Sequence, residues 1–147
     1  MPASSYRLED LLPHRSPMIL IDEIVDYDDV SHTLTTSVTV KELWADNHVA
    51  VEYMAQTAAA LAGLSDRLSD PGCIPRPGFL LGTRVMDLKI DRFEPGVTYL
   101  VYATYEFYDS NTASFNCRIS RDGETVASAV INAYRPENMR SFIAEYS

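Results

Sequence analysis

Cysteine is nearly missing from this chain: only Cys73 and Cys117 occur in 147 residues, and they form neither a metal-ligand pattern nor a disulfide framework. No apolar run reaches the roughly 20 residues of a bilayer span. The nearest approach is alanine-rich and is interrupted by Glu52. The first ten residues carry no basic stretch followed by an apolar one, so no signal peptide is expected. Together these absences favour the cytoplasm. Basic residues are also scarce, 12 against 21 acidic, for a net charge of −9. That balance argues against a nucleic-acid surface, which needs a basic patch. Phosphate loops, zinc clusters and Gly-x-Ser-x-Gly elbows are all absent, as are repeats and low-complexity segments.

What remains is a chain with 46% apolar residues and mixed charge, the size of one folded domain with one core. The expected domain spans 1–147, with a short N-terminal segment over 1–12 and a tail over 136–147 that carries at most one short helix. Tyr6 to Leu12 reads as a short helix ended by Pro13. Met18 to Val25 reads as a first strand and Asp26 to Ser31 as a polar turn. Thr33 to Val40, rich in β-branched residues on one face, predicts a second strand. A loop over Lys41 to Asn47 leads to a long helix, with Asp46 or Asn47 as its N-cap.

After the helix, near Arg67, turn residues take over. Phe79 to Ile90 and Val97 to Phe107 predict long strands around the turn Phe93-Glu94-Pro95-Gly96. Ala113 to Ser120 and Thr125 to Tyr134 predict a hairpin around Asp122-Gly123, because a type I′ turn needs positive φ at both central residues. Cys117 falls at strand spacing with Phe115 and Ile119, as a small buried hydrophobe does.

The helix is the informative element. From Val49 to Leu64 only Glu52, Gln56 and Thr57 break a run of apolar or tiny residues. A helix apolar all round is expected to be buried all round. A carboxylate near its start is then costly unless it is paired or used. Glu52 is either an acid in service or a buried acid tied to Gln56, Thr57 or a second subunit. Gln56, one turn further, either orients Glu52 or a substrate, or is a satisfied core amide. One sheet cannot cover such a helix unless it wraps it or a second subunit helps. An α+β hotdog fold, a curved antiparallel sheet of about six strands around one central helix, is the expected architecture.

Three motifs sharpen this. Leu11-Leu12-Pro13-His14-Arg15-Ser16-Pro17-Met18-Ile19-Leu20-Ile21-Asp22 resembles the N-terminal signature of the hotdog 3-hydroxyacyl-carrier-protein dehydratases. Val51-Glu52-Tyr53-Met54-Ala55-Gln56 resembles that family's helix motif. Phe79-Leu80-Leu81-Gly82-Thr83-Arg84, with Asp91-Arg92-Phe93-Glu94-Pro95-Gly96, resembles its third strand and following turn. The resemblance covers roughly Leu8 to Tyr134. Within the family the chain looks most like the dehydratase-like proteins encoded in aryl-polyene biosynthesis clusters. It implies dehydration of a 3-hydroxyacyl thioester on acyl carrier protein to a trans-2-enoyl thioester. The phosphopantetheine arm of the carrier brings the substrate, so no metal or redox cofactor is implied.

In that family a histidine removes the proton α to the thioester and a helix acid protonates the departing hydroxyl. Backbone N–H groups near the helix start hold the thioester oxygen. The resemblance implies Glu52 as the acid, its pKa raised by burial. The family's His-Phe-Pro-Gly stretch is absent here. His48, four residues before Glu52, stands in for its histidine if both lie on one helical face; otherwise it starts the helix and faces solvent. Gln56 and Gly82 are the expected substrate contacts. His14, Arg15 and Asp46 are read as structural. Arg84, Lys89 and Arg92, with Arg76, are either a solvated rim or a docking patch for the acidic carrier. A non-catalytic subunit that stabilises an active hotdog partner, and an acyl thioesterase, are the competing functions. A dimer with sheets joined edge to edge is expected, as a homodimer or a heterodimer.

Overall fold

A computed structural model describes residues 8–11, 19–69, 72, 79–108 and 111–134. Pro13, His14, Arg15, Cys73, Arg76 and the tail over 136–147 lie outside the described residues. The chain order is α1 (Leu8–Leu11), β1 (Glu23–Asp28), β2 (Thr33–Thr39), α2 (Ala50–Ser69), β3 (Phe79–Leu88), β4 (Thr98–Tyr108), β5 (Thr112–Arg121) and β6 (Glu124–Tyr134). Two 3-10 turns, Glu42–Trp44 and Asn47–Val49, precede α2. The six strands form one antiparallel sheet in the order β1-β2-β4-β5-β6-β3, packed against α2. This is the expected hotdog arrangement.

Alternation along the strands decides what faces the helix. Leu34 and Val38 of β2, Tyr99, Val101 and Ala103 of β4, and Phe115, Cys117 and Ile119 of β5 are buried. Their neighbours Tyr102, Thr104, Asn116 and Arg118 point away. Small residues on α2, including Ala58, Ala60 and Ala62, let the sheet lie close. Buried polar contacts tie the layers: the Thr36 and Thr57 hydroxyls lie 2.8 Å apart, and the Cys117 thiol donates weakly to Met54 O at 4.0 Å. The β5–β6 turn has the expected backbone, with φ of 52° at Asp122 and 82° at Gly123.

The first strand differs from expectation. Ile19 to Asp22 is not strand; β1 begins at Glu23 and continues through Asp28, and the turn falls at 29–32. The apolar Ile19-Leu20-Ile21 run packs on the core, with Ile21 buried, while the acidic Glu23–Asp28 pairs as an edge with a bulge between Ile24 and Asp26. Hydrophobicity marked the packing segment, but backbone pairing went to its neighbour.

The helix also departs from expectation. Val51, Ala55 and Ala59 are only half-buried and Glu52 is exposed in the single chain. The sheet covers one side of α2 and leaves this stripe open.

Candidate active site at the start of the central helix

Glu52 stands in the first turn of α2, where a negative side chain is favoured by the helix dipole. Gln56, one turn on, is buried at 1% exposure. Its Nε2 donates to Glu52 Oε1 at 2.9 Å, and its Oε1 accepts the Leu20 N–H at 2.8 Å. An N–H can only donate, so Leu20 fixes which end of the amide is oxygen. The NH2 end is thereby aimed at the Glu52 carboxylate. Glu52 and Gln56 are legible as an i, i+4 pair. Leu20 is not, because nothing local links it to a residue far along the chain.

The aromatic floor near this end of the helix is rigid. The Tyr53, Phe93 and Tyr99 rings meet edge to face, with centroids 5.5 and 5.1 Å apart. The Tyr53 hydroxyl donates to Trp44 O at 2.6 Å. Burial, with smaller contributions from Asp22 and Tyr99, pushes the Tyr53 phenol up to about 12. Phe93 N–H donates to Ala45 O at 2.8 Å, tying the turn before β4 to the loop that carries Asp46.

His48 lies in the 3-10 turn ahead of α2 rather than on its first turn. Its side chain is 80% exposed, and Nδ1 lies 3.5 Å from Asp46 Oδ1. No hydrogen bond joins it to Glu52 among the described residues, and both side chains are exposed. Neither Asp46 nor Asn47 supplies the expected side-chain cap. Asp46 faces His48 instead, and Asn47 Nδ2 donates to Ile90 O at 3.2 Å. The backbone N–H groups of Val49 and Ala50 are also committed, to Asp46 O and Asn47 O. The 3-10 turn therefore consumes two of the donors expected to face a thioester oxygen.

Gly82 lies on edge strand β3 opposite Asn132, and a Cβ there would have nothing within 4 Å. Arg84 and Lys89 are exposed and hold no carboxylate among the described residues. Arg92 differs: its Nη2 is 2.5 Å from Glu42 Oε1. The three cations expected to act together are thus two free ones and one already paired. No group of three His, Cys, Asp or Glu among the described residues is placed to hold a metal ion. No helix there is long and apolar enough to cross a membrane.

The chain matches the ApeP-like family, described as ApeP dehydratase, over residues 6–144. It belongs to that family. It is 34% identical to the 3-hydroxyacyl-[acyl-carrier-protein] dehydratase FabZ of Brucella abortus (strain S19), over 84% of this chain and 82% of that protein. A second FabZ, from Rickettsia bellii (strain RML369-C), is 30% identical over 84% of this chain and 90% of its own. Among solved structures, the dehydratase heterocomplex ApeI:P from Xenorhabdus doucetiae superposes with a TM-score of 0.84 at 23% identity, covering 97% of this chain and 98% of that one. At that identity the likeness speaks for the fold.

Proposed function

We propose that this chain is a hotdog dehydratase subunit acting on 3-hydroxyacyl thioesters of acyl carrier protein, in fatty-acid or polyene biosynthesis in the cytoplasm. A single domain over 1–147 carries the site. The observation that supports this reading is the Leu20–Gln56–Glu52 chain of hydrogen bonds, which holds one carboxyl in place at the open side of α2. In the reaction a base takes the proton α to the thioester carbonyl. The electron pair forms the double bond, the C3–oxygen bond breaks, and Glu52 gives its proton to the leaving hydroxyl, which departs as water. The substrate arrives on the phosphopantetheine arm, so the reading calls for no further cofactor. Gly82, with no side chain, leaves room for an acyl chain beside the sheet edge.

Glu52 is exposed in one chain, beside the half-buried Val51, Ala55 and Ala59. A second hotdog subunit laid over this stripe would remove water from around the carboxyl. The exposure of His48 and the lack of a bond to Glu52 favour a second reading, in which the partner supplies the base and this chain the acid. The Xenorhabdus relative is itself a heterocomplex.

Intact-mass analysis of 3-hydroxyacyl carrier protein tests both readings. Loss of one water with the pure chain supports a self-sufficient enzyme. Loss only when a second hotdog subunit is added supports the shared site. Release of the acyl group with a free carrier thiol makes the protein a thioesterase and overturns both.

A further inference from the structure

The outer face of the sheet holds a second polar constellation, away from α2. A concavity of about 340 Å³ opens there, lined by the outward-facing Thr33, Tyr102, Thr104, Asn116, Arg118 and Ser128, with Cys117 between the two β5 residues also reaching it. The outward-facing residues come from four adjacent strands and form two neighbouring cross-strand rows. Tyr102, Arg118 and Ser128 pair across β4, β5 and β6, and Thr33, Thr104 and Asn116 pair across β2, β4 and β5. The volume falls in the range of small-molecule sites.

Arg118 is the focus. Its Cζ lies 3.7 Å from the centroid of the Tyr102 ring. Stacking occupies the face of the guanidinium and leaves the N–H groups in its plane free to bond sideways. Among the described residues no carboxylate takes them. Arg92 and Arg121, by contrast, each hold a glutamate, at 2.5 and 2.6 Å. Asp87, opposite Ser128 on β3, is exposed and makes no ion pair with Arg118. Held by the ring, the guanidinium fork loses little freedom on binding, and its geometry suits a two-oxygen acceptor.

We propose that this concavity binds a small organic anion. Its carboxylate or phosphate oxygens bond the Arg118 fork, and its polar body lies against Thr104, Asn116 and Ser128. Titration of the isotopically labelled full chain with succinate, and separately with inorganic phosphate, tests this at ionic strength held constant with sodium chloride. The Arg118 Nε–H signal and the Tyr102 ring signals are expected to shift saturably with at least one of the two, which identifies the head group. Linear drift with both, as with chloride, overturns the proposal. Arg118→Lys keeps the charge but not the fork, and is expected to raise the half-saturation concentration about tenfold or more. Unchanged binding in that variant overturns the proposal. Should it fail to fold, Asn116→Ala carries the test, with weaker binding expected and unchanged binding decisive against. Arg118→Lys should leave dehydration untouched, since Arg118 faces away from α2.

Discussion

Gln56 is the residue on which the position of the Glu52 carboxyl depends. One end of its amide meets a main-chain donor and the other meets Glu52. Gln56→Leu leaves the Leu20 N–H without that partner, a cost of about 1–3 kcal/mol for a buried group. It also frees the Glu52 carboxyl to swing. Turnover should fall more than substrate affinity, which steady-state kinetics separates. Glu52→Gln should lower turnover about a hundredfold or more, the scale of a lost general acid. Because Glu52 is exposed in the chain, urea unfolding of that variant should match the parent closely. Tyr53 gives a test in pH. Its phenol titrates higher in the fold, near 12, than in the unfolded chain, near 10. The folded state therefore holds that proton more tightly. The contribution is full below pH 10 and is lost as pH rises from 10 through 12. Urea midpoints between pH 9 and 12 should fall less steeply for Tyr53→Phe than for the parent.

At the scale of elements, the contact between α1 and α2 rests on an absent side chain. A Cβ at Gly63 would stand 2.1 Å from Leu11 O and 2.9 Å from its carbonyl carbon. Both are main-chain atoms, so they yield only if α1 moves. Alanine in a helix interior gains about 1 kcal/mol over glycine in propensity. Against this, displacing α1 uncovers Leu8 and Leu11, each worth about 1.5–3 kcal/mol when fully buried. The packing loss wins, and Gly63→Ala should destabilise by about 1–3 kcal/mol in urea unfolding. Cys117 is the converse case, a side chain the layers enclose. Burial pushes its thiol up to about 12. It should resist alkylation at pH 8 in the native protein and react on unfolding.

For the whole molecule, the two sheet edges differ in chemistry. β1 presents Glu23, Asp26 and Asp28, and charge on an edge discourages pairing. β3 presents Gly82, Thr83, Val85 and Met86 together with the exposed, oppositely charged Arg84 and Asp87, and has bulges between Leu80 and Gly82 and between Arg84 and Asp87. Val85 is 76% exposed and holds φ at +54°, an outlier for a β-branched residue. The β3 edge and the open stripe of α2 are the surfaces a second subunit would cover. A dimer is expected by sedimentation at micromolar concentration, alone or with a partner hotdog chain; a well-folded monomer in both samples contradicts the shared-site reading. Docking of an acidic carrier through Arg84 and Lys89 should weaken with salt, since exposed charges are screened beyond about 8–10 Å. Reversing both to glutamate should raise KM for the carrier substrate with little change in kcat.

How much of the molecule is legible in its sequence depends on whether the cause is local. Periodicity, turn chemistry and β-branched runs are local, so the long helix, the strands from Phe79 onward and the Asp122-Gly123 hairpin are readable from the residues alone. The i, i+4 spacing likewise puts Gln56 beside Glu52. Pairing and coverage are not local. Only the tertiary structure decided that Glu23–Asp28, not the more apolar run preceding it, forms the edge strand, because backbone partners on β2 are taken by register rather than by hydrophobicity. Only it showed that one sheet leaves Glu52 exposed, and that the turn ahead of α2 draws Asp46 to His48 and Asn47 to Ile90. The Leu20 N–H that aims Gln56 comes from a segment distant in sequence, and distance along the chain carries no trace of a hydrogen bond made in space.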